Sequence, residues 1–213
     1  MKRIIAIDGP AAAGKGTLAR RLAITLGLPY LDTGLLYRGV GRRVLDGGGN
    51  PADPSTAEQA ARALQPVDLE RTDLRGPQAD AAATSVASVP GVRVALLAFQ
   101  RAFAERDGAV LDGRDIGTVI FPDAPAKLFV TASLDERARR RWLELRAKDT
   151  EVDLATVAAD MRRRDDRDAA RTAAPLRAAA DAYCLDTTEM DAEAAFNVAL
   201  TVVTTRLSAS GLD

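Results

Sequence analysis

The stretch Gly9-Pro10-Ala11-Ala12-Ala13-Gly14-Lys15-Gly16-Thr17 lies between an apolar run, Ile4-Ile5-Ala6-Ile7, and a segment with helical spacing, Leu18-Ala19-Arg20-Arg21-Leu22-Ala23. The apolar run reads as a buried strand. Strand, glycine-rich turn and helix form the context in which a P-loop holds phosphate. Gly9 and Gly14 let the backbone turn tightly and aim its N–H groups inward. The start of the helix adds partial positive charge. Lys15 is placed to reach the outer phosphates of a nucleotide. Here Gly16 follows the lysine and Thr17 comes one position later. That shift leaves open whether the Thr17 hydroxyl meets Mg²⁺ directly or through water.

The rest of the chain repeats this alternation. Strand-like runs recur at Ile4–Asp8, Tyr30–Asp32, Ala109–Asp112, Lys127–Thr131 and Tyr183–Asp186. Helical patterns separate them, most clearly at Leu18–Leu26, Arg93–Ala104, Arg137–Arg146 and Ala192–Leu207. Such a sequence predicts an α/β protein with a parallel sheet covered on both faces. With 213 residues it suits one domain and a full core. The connection from Gly34 to Gly108 is far longer than a crossover needs. It contains Asp46-Gly47-Gly48-Gly49-Asn50-Pro51 and Arg75-Gly76-Pro77, which read as loops within an insert. Inside it, Val67-Asp68-Leu69-Glu70 reads as a strand.

Composition removes several chemistries. Histidine is absent, which excludes a Ser-His-Asp triad, an H-E-x-x-H zinc site and a histidine general base. Cys184 is the single cysteine, so no internal disulfide can form; its setting, Ala182-Tyr183-Cys184-Leu185, predicts a buried structural thiol. The net charge is −1, which gives no global pull toward nucleic acid or membrane. No apolar run reaches membrane-spanning length. A soluble cytoplasmic protein is expected, without nucleic-acid or membrane partners. Lysine occurs only at Lys2, Lys15, Lys127 and Lys148, so the positive charge is almost all arginine. Arginine suits bidentate phosphate recognition, and a genome rich in G and C gives the same bias.

Several side chains fit phosphate chemistry. Asp112 ends the run Ala109-Val110-Leu111, where an acid at a strand's carboxyl end can hold Mg²⁺ or its waters. Arg114 can pair with a phosphate, and Asp115 can accept from an amine. Tyr30-Leu31-Asp32-Thr33-Gly34 ends the second strand and Tyr37-Arg38 follows one helical turn later, so Thr33 and Arg38 can face a common phosphate. Residues 137–171 hold 11 of the 29 basic residues and eight acids. One reading is a solvated helical hairpin with i,i+4 pairs. The other is a lid that brings Arg164, Arg167 and Arg171 onto the nucleotides. Trp142 within it reads as a packing residue. Phosphoryl transfer needs positioning, charge neutralisation and water exclusion rather than covalent chemistry, and these residues supply them without histidine.

The blocks I-D-G-P-A-A-A-G-K-G-T, Y-L-D-T-G-L-L-Y-R, L-D-G-R-D-I-G-T-V-I-F-P-D-A, T-A-S-L-D-E-R-A-R-R-R, R-R-D-D-R-D-A-A-R and A-P-L-R-A-A-A-D-A-Y-C-L-D-T-T run from Ile7 to Thr188. They resemble the bacterial cytidylate kinases, P-loop nucleoside monophosphate kinases that act on CMP and dCMP. The P-loop alone says only nucleotide; the G-R-D-I-G-T and R-R-D-D-R-D blocks are much more specific. The resemblance implies a three-layer P-loop NTPase fold with an acceptor-binding insert at about 36–91 and a helical lid at about 140–171. It implies transfer from ATP, bound with Mg²⁺, to CMP or dCMP. Gly9, Pro10, Ala11, Ala12, Ala13, Gly14, Lys15, Gly16 and Thr17 would bind the ATP phosphates, with Thr17 and Asp112 toward the metal. Lys15, Arg114, Arg164 and Arg167 would be the catalytic cations. Thr33, Arg38, Arg114 and Arg171 would hold the acceptor phosphate. Thr84, Arg93 and Asp115 would read the cytosine edge, and Asp168 with Arg164 would contact the sugar. Two features depart from the family's pattern: the insert is shorter, with part of its small β-sheet read as deleted, and Thr84 stands where the family has a serine. A monomer is the expected state.

Other function classes remain to be separated. Another small P-loop kinase, of the adenylate or shikimate type, shares the P-loop. A GTP-driven switch needs an N-K-x-D guanine reader, and neither Asn50 nor Asn197 is followed by Lys. A catalytically silent nucleotide-binding module would not need Lys15, Asp112 and the arginines together.

Overall fold

The computed structural model describes residues 2–147, 151–171 and 174–212. Residues 148–150, inside the expected lid, lie outside the described residues. Contacts divide the chain into two compact units: one of residues 1–31 and 106–213, the other Asp32–Glu105.

The first unit is built on a five-stranded sheet in the order β2-β3-β1-β4-β5, with β1 Ile4–Asp8, β2 Tyr30–Asp32, β3 Ala109–Gly113, β4 Ala126–Thr131 and β5 Tyr183–Asp186. β1 runs parallel to β3 on one side and to β4 on the other, and β5 runs parallel to β4. The central strands read as unbroken apolar runs because both faces are covered, as parallel sheets require. Ile5, Ile7, Val110, Leu128, Val130 and Leu185 pack against α1 (Lys15–Leu26) and α8 (Ala192–Ala209), through Leu18, Leu22, Phe196 and Val203. Each such side chain contributes on the order of 1.5–3 kcal/mol when fully buried. A π-helical turn, Ile116–Ile120, follows β3.

α6 (Leu134–Arg146) and α7 (Leu154–Ala169) pack together in the same unit. Ala138, Val157 and Met161 form their apolar seam, with Trp142 and the P-loop residues Ala11 and Ala12 against it. Trp142 Nε1 donates to the Val152 carbonyl at 2.9 Å, so the ring is a packing residue.

The second unit is helical among its described residues: α2 (Thr33–Asp46), α3 (Pro54–Arg62), a 3-10 turn (Pro66–Leu69), α4 (Pro77–Ala87) and α5 (Pro90–Phe103). α2 packs on α4 so closely that a Cβ on Gly41 would lie 2.8 Å from the Ala82 Cβ. The strand expected at residues 67–70 is absent. Pro66 brings no N–H for a ladder, and Asp68 turns inward to accept from the Gln65 N–H at 2.7 Å and from Arg43 at 3.0 Å. That capping closes a turn instead of extending a strand.

Cys184 also departs from expectation: it is exposed. β5 is an edge strand, and of its four residues only Leu185 enters the core. No single helix among the described residues is long and apolar enough to cross a membrane; α4 and α5 together reach that length but bend by 99°.

Candidate nucleotide site

The carboxyl ends of β1, β3 and β4 lie side by side, where open α/β sheets place their ligands. β1 runs straight into Gly9, whose φ is +144°. A Cβ there would sit 1.9 Å from the Val130 carbonyl oxygen, so only glycine lets the loop leave the sheet. The turn closes at Gly14, which caps α1 in the left-handed region, with no side-chain cap and no acid in the first helical turn. The amides that open α1 thus face no competing carboxylate from their own helix.

Lys15 folds back inside this turn. It is buried, and its Nζ donates to the Pro10 carbonyl at 2.8 Å. Burial pulls the Lys15 ammonium down to about 7, and the Arg114 charge adds to that pull; Asp112 and Asp8 oppose it. A lysine so poised gains most when negative charge arrives beside it. Asp112 is buried near the end of β3 and accepts from the Tyr30 hydroxyl at 2.9 Å. Its Oδ2 lies 3.3 Å from where a Cβ on Gly16 would be, so glycine after the lysine leaves the carboxylate its approach to the P-loop backbone. Thr17 is exposed in the first turn of α1.

Next to Asp112, Gly113-Arg114-Asp115 leaves the sheet. Arg114 donates Nε to Asp168 Oδ2 at 3.0 Å and Nη1 to the Gly113 carbonyl at 3.0 Å. Arg171 donates to the other Asp168 oxygen. Burial pushes the Asp168 carboxyl up, but Arg114 and Arg171 outweigh it and hold the group below the ordinary carboxylate range. Three of the predicted acceptor residues therefore meet in one ion cluster around the buried Asp168. Arg164 acts electrostatically on both Lys15 and Asp168. Arg167 stands exposed on α7, its Nε on the Arg163 carbonyl at 3.1 Å. Asp115 is buried, and its backbone oxygen anchors the π-helical turn.

In the helical unit, Thr33 is buried at the start of α2. Arg38, five residues on, donates Nε and Nη2 to Asp80 Oδ1 at 3.0 and 2.9 Å. Thr84 donates its hydroxyl to the Asp80 carbonyl at 2.8 Å. The Arg93 guanidinium lies 5.6 Å from the Tyr37 ring centroid. These four predicted residues thus fall on α2, α4 and α5.

Sequence reasoning missed other members of the sheet unit. Asp8 ends β1, and Asp112 stands one residue before the end of β3, so an acid closing an apolar run was a signal present at both positions. Arg137 has no such signal: its buried guanidinium spans the Ala132 carbonyl at 2.9 Å, the Ala11 carbonyl at 3.4 Å and Asp165 at 2.8 Å, joining P-loop to α7. Arg140 holds Thr187 by its hydroxyl at 3.0 Å and its carbonyl at 2.6 Å. Beside them opens a cavity of about 390 Å³, lined among others by Ala12, Gly14, Thr17, Arg140 and Met190. Ligand pockets commonly have such volumes.

The description of the family whose sequence pattern matches residues 5–205 is cytidylate kinase. A cytidylate kinase of Granulibacter bethesdensis is 61% identical over 203 residues, spanning 95% of this chain and 97% of the relative. Another, from Acidiphilium cryptum, is 61% identical over 200 residues and spans 94% of each chain. Among solved structures, an uncharacterized protein from Eubacterium ventriosum aligns with a TM-score of 0.58 at 15% identity, covering 96% of this chain and 99% of that one, which speaks for a shared fold. With this match over nearly its whole length, the chain belongs to the cytidylate kinase family.

Proposed function

We propose that the chain transfers the γ-phosphoryl group of ATP to the phosphate of CMP or dCMP, giving CDP or dCDP, by direct in-line displacement. The observation that carries this is the setting of Lys15: buried in a P-loop, and within electrostatic reach of Arg114, Asp112, Asp8 and Arg164. Family membership supplies the acceptor.

The residues of Gly9–Thr17 hold the ATP phosphates through backbone N–H groups, and Lys15 neutralises charge on the group in transfer. The neighbouring cavity suits the donor nucleoside. Arg114 and Arg171 bind the acceptor phosphate, while Asp168 and Arg164 contact the sugar. Asp115, as a carboxylate, can only accept, which suits the N4 amine of cytosine and opposes O4 of uracil. In the helical unit, Thr33 and Arg38 are the candidates for phosphate contacts, and Thr84 and Arg93 for base contacts. The donor set beside the P-loop suits a hard cation that keeps most of its waters: one carboxylate, Asp112, and one hydroxyl, Thr17. Among the described residues no cluster of three or more acidic, His or Cys side chains offers a cage of its own. Mg²⁺ arriving with ATP would be held by Asp112 and Thr17, and would supply charge neutralisation on the phosphates.

The α6–α7 pair, carrying Arg164 and Arg167, serves as the lid that excludes water. Hydrogen exchange over residues 151–171 should slow with a bisubstrate analogue; unchanged protection removes the lid role. ADP release measured with CMP, dCMP, UMP, AMP and shikimate tests the whole proposal. Turnover is expected with CMP and dCMP. Preference for AMP or shikimate would make the chain a different small P-loop kinase, and no turnover with any acceptor a silent binding module.

A further inference from the structure

Asp8 is the last residue of β1, immediately before the P-loop, and only 4% exposed. Its two carboxylate oxygens accept from two successive amides: Ile116 N–H to Oδ1 and Gly117 N–H to Oδ2, each at 2.8 Å. Those amides open the π-helical turn that directly follows Arg114-Asp115. One side chain therefore joins the strand that launches the donor loop to the segment assigned to the acceptor. Such turns are uncommon and concentrate at functional sites. Gly117 leaves room for the approach: a Cβ there would lie 3.4 Å from Asp8 Oδ2 and 3.2 Å from the Lys127 Cδ. A buried carboxylate is costly even when hydrogen-bonded. Burial pushes the Asp8 carboxyl up to about 6 against the pull of its two amides. The other buried positions of β1, Ile5, Ala6 and Ile7, are apolar. A charge kept here at such cost calls for a task that packing does not provide.

We infer that Asp8 is a positioning residue: through the Ile116 and Gly117 amides it fixes Arg114 and Asp115 relative to the P-loop, and so governs capture of CMP and its selection over UMP. The inference rests on the proposed kinase function and deepens it. Asp8 touches neither phosphate nor base in this role. It sets where the groups that do so are held, by giving the first two amides of the turn a shared, rigid acceptor. Charge-assisted bonds to backbone amides are the strong kind, and two on one carboxylate fix direction as well as distance.

The test is Asp8→Asn, nearly equal in shape. An amide offers one acceptor oxygen, so one backbone N–H keeps its partner and the other faces an NH₂ group. The KM for CMP should rise about five- to thirtyfold, and the CMP-to-UMP ratio of kcat/KM should fall by a similar factor. ATP affinity should change by less than the KM for CMP, because the P-loop amides are untouched and only the Asp8 charge near Lys15 is lost. Gly117→Ala presses on the same joint from the other side and should shift the same two quantities in the same direction, by less. A lower melting temperature with wild-type KM and ratio would show that Asp8 merely supports the fold, and would overturn the inference. If Asp8→Asn does not fold, Gly117→Ala decides on the same readouts. An Asp115→Asn control separates the two levels. No change in the ratio there overturns the base-reading role and the inference with it. A change there, with none in Asp8→Asn or Gly117→Ala, overturns the inference alone.

Discussion

In the sheet unit, Asp8, Lys15, Asp112 and Asp168 are all buried; beside β1, Asp8 is held by two amides and Lys15 by a carbonyl, while Asp112 meets the Tyr30 hydroxyl and Asp168 meets Arg114 and Arg171. In the helical unit, arginine meets aspartate nearer solvent, as in Arg38–Asp80, Arg43–Asp68 and the group Arg42, Asp46, Arg71 and Asp73. The difference follows from how each unit makes its backbone. Strand ends and P-loop turns leave amides and carbonyls to meet buried charges. Helices consume theirs internally, so charged side chains must pair with each other. The buried charges of the sheet unit are therefore expected to govern chemistry, and the solvent-nearer pairs of the helical unit to tune it.

The largest effect belongs to Lys15→Ala. Its ammonium is fixed to Pro10 and faces charge that matters most as the phosphoryl group moves. Turnover should fall by roughly 100- to 1,000-fold, with a far smaller rise in the KM for CMP. Turnover within about threefold of wild type would end the case for buried charges as the chemical ones.

Asp115→Asn comes next. Losing a charge-assisted hydrogen bond should cost roughly ten- to a hundredfold in kcat/KM for CMP. The amide can turn its NH₂ toward O4 of uracil, so the gap to UMP should narrow. Steady-state constants for CMP and UMP, in wild type and variant, decide it. An equal fall for both acceptors would make Asp115 structural.

These two residues also show how far the sequence could be read. The five strands were legible because buried parallel strands are continuous apolar runs, and the P-loop because its glycines and lysine have fixed spacing. Asp112 and Asp115 were legible as acids at a strand end. Arg137 was not, because nothing in the local pattern distinguishes it from Arg139, whose partner is Glu136 on the same exposed face. Its role exists only once α6 is folded against the P-loop. In the helical unit, alternation at Val67-Asp68-Leu69-Glu70 imitated a strand while Pro66 and the Asp68 cap imposed a turn. Cys184 misled for a related reason: its apolar neighbours hid that β5 is an edge.

A smaller effect tests whether side-chain pairs tune. Asp80 receives Arg38 Nε and Nη2 on one oxygen, which holds the guanidinium in a set direction. Asp80→Asn keeps the oxygen but removes the charge. The KM for CMP should rise about three- to tenfold, with kcat within about twofold. A fall in KM would mean instead that Asp80 competes with phosphate for Arg38.

The smallest effect should come from Arg71→Ala. Arg71 makes two short contacts, to Asp46 at 2.8 Å and to Asp73 at 2.7 Å, and its hydrogen bond holds the Asp73 carboxyl down to about 2. On paper this pairing is as close as any in the sheet unit. All three groups face solvent, however, where screening and side-chain entropy offset most of the attraction. Arg42 also remains to neutralise Asp46 and Asp73 when Arg71 is gone. The expected outcome is no measurable change in melting temperature and unchanged constants for ATP and CMP, at low and moderate salt. Thermal unfolding of the two proteins side by side, with CMP kinetics on the same samples, makes the check. A clear loss of CMP use at unchanged stability would mean that a solvent-facing pair reaches the chemistry, and the division between buried and solvent-nearer charges would fail at its most exposed point.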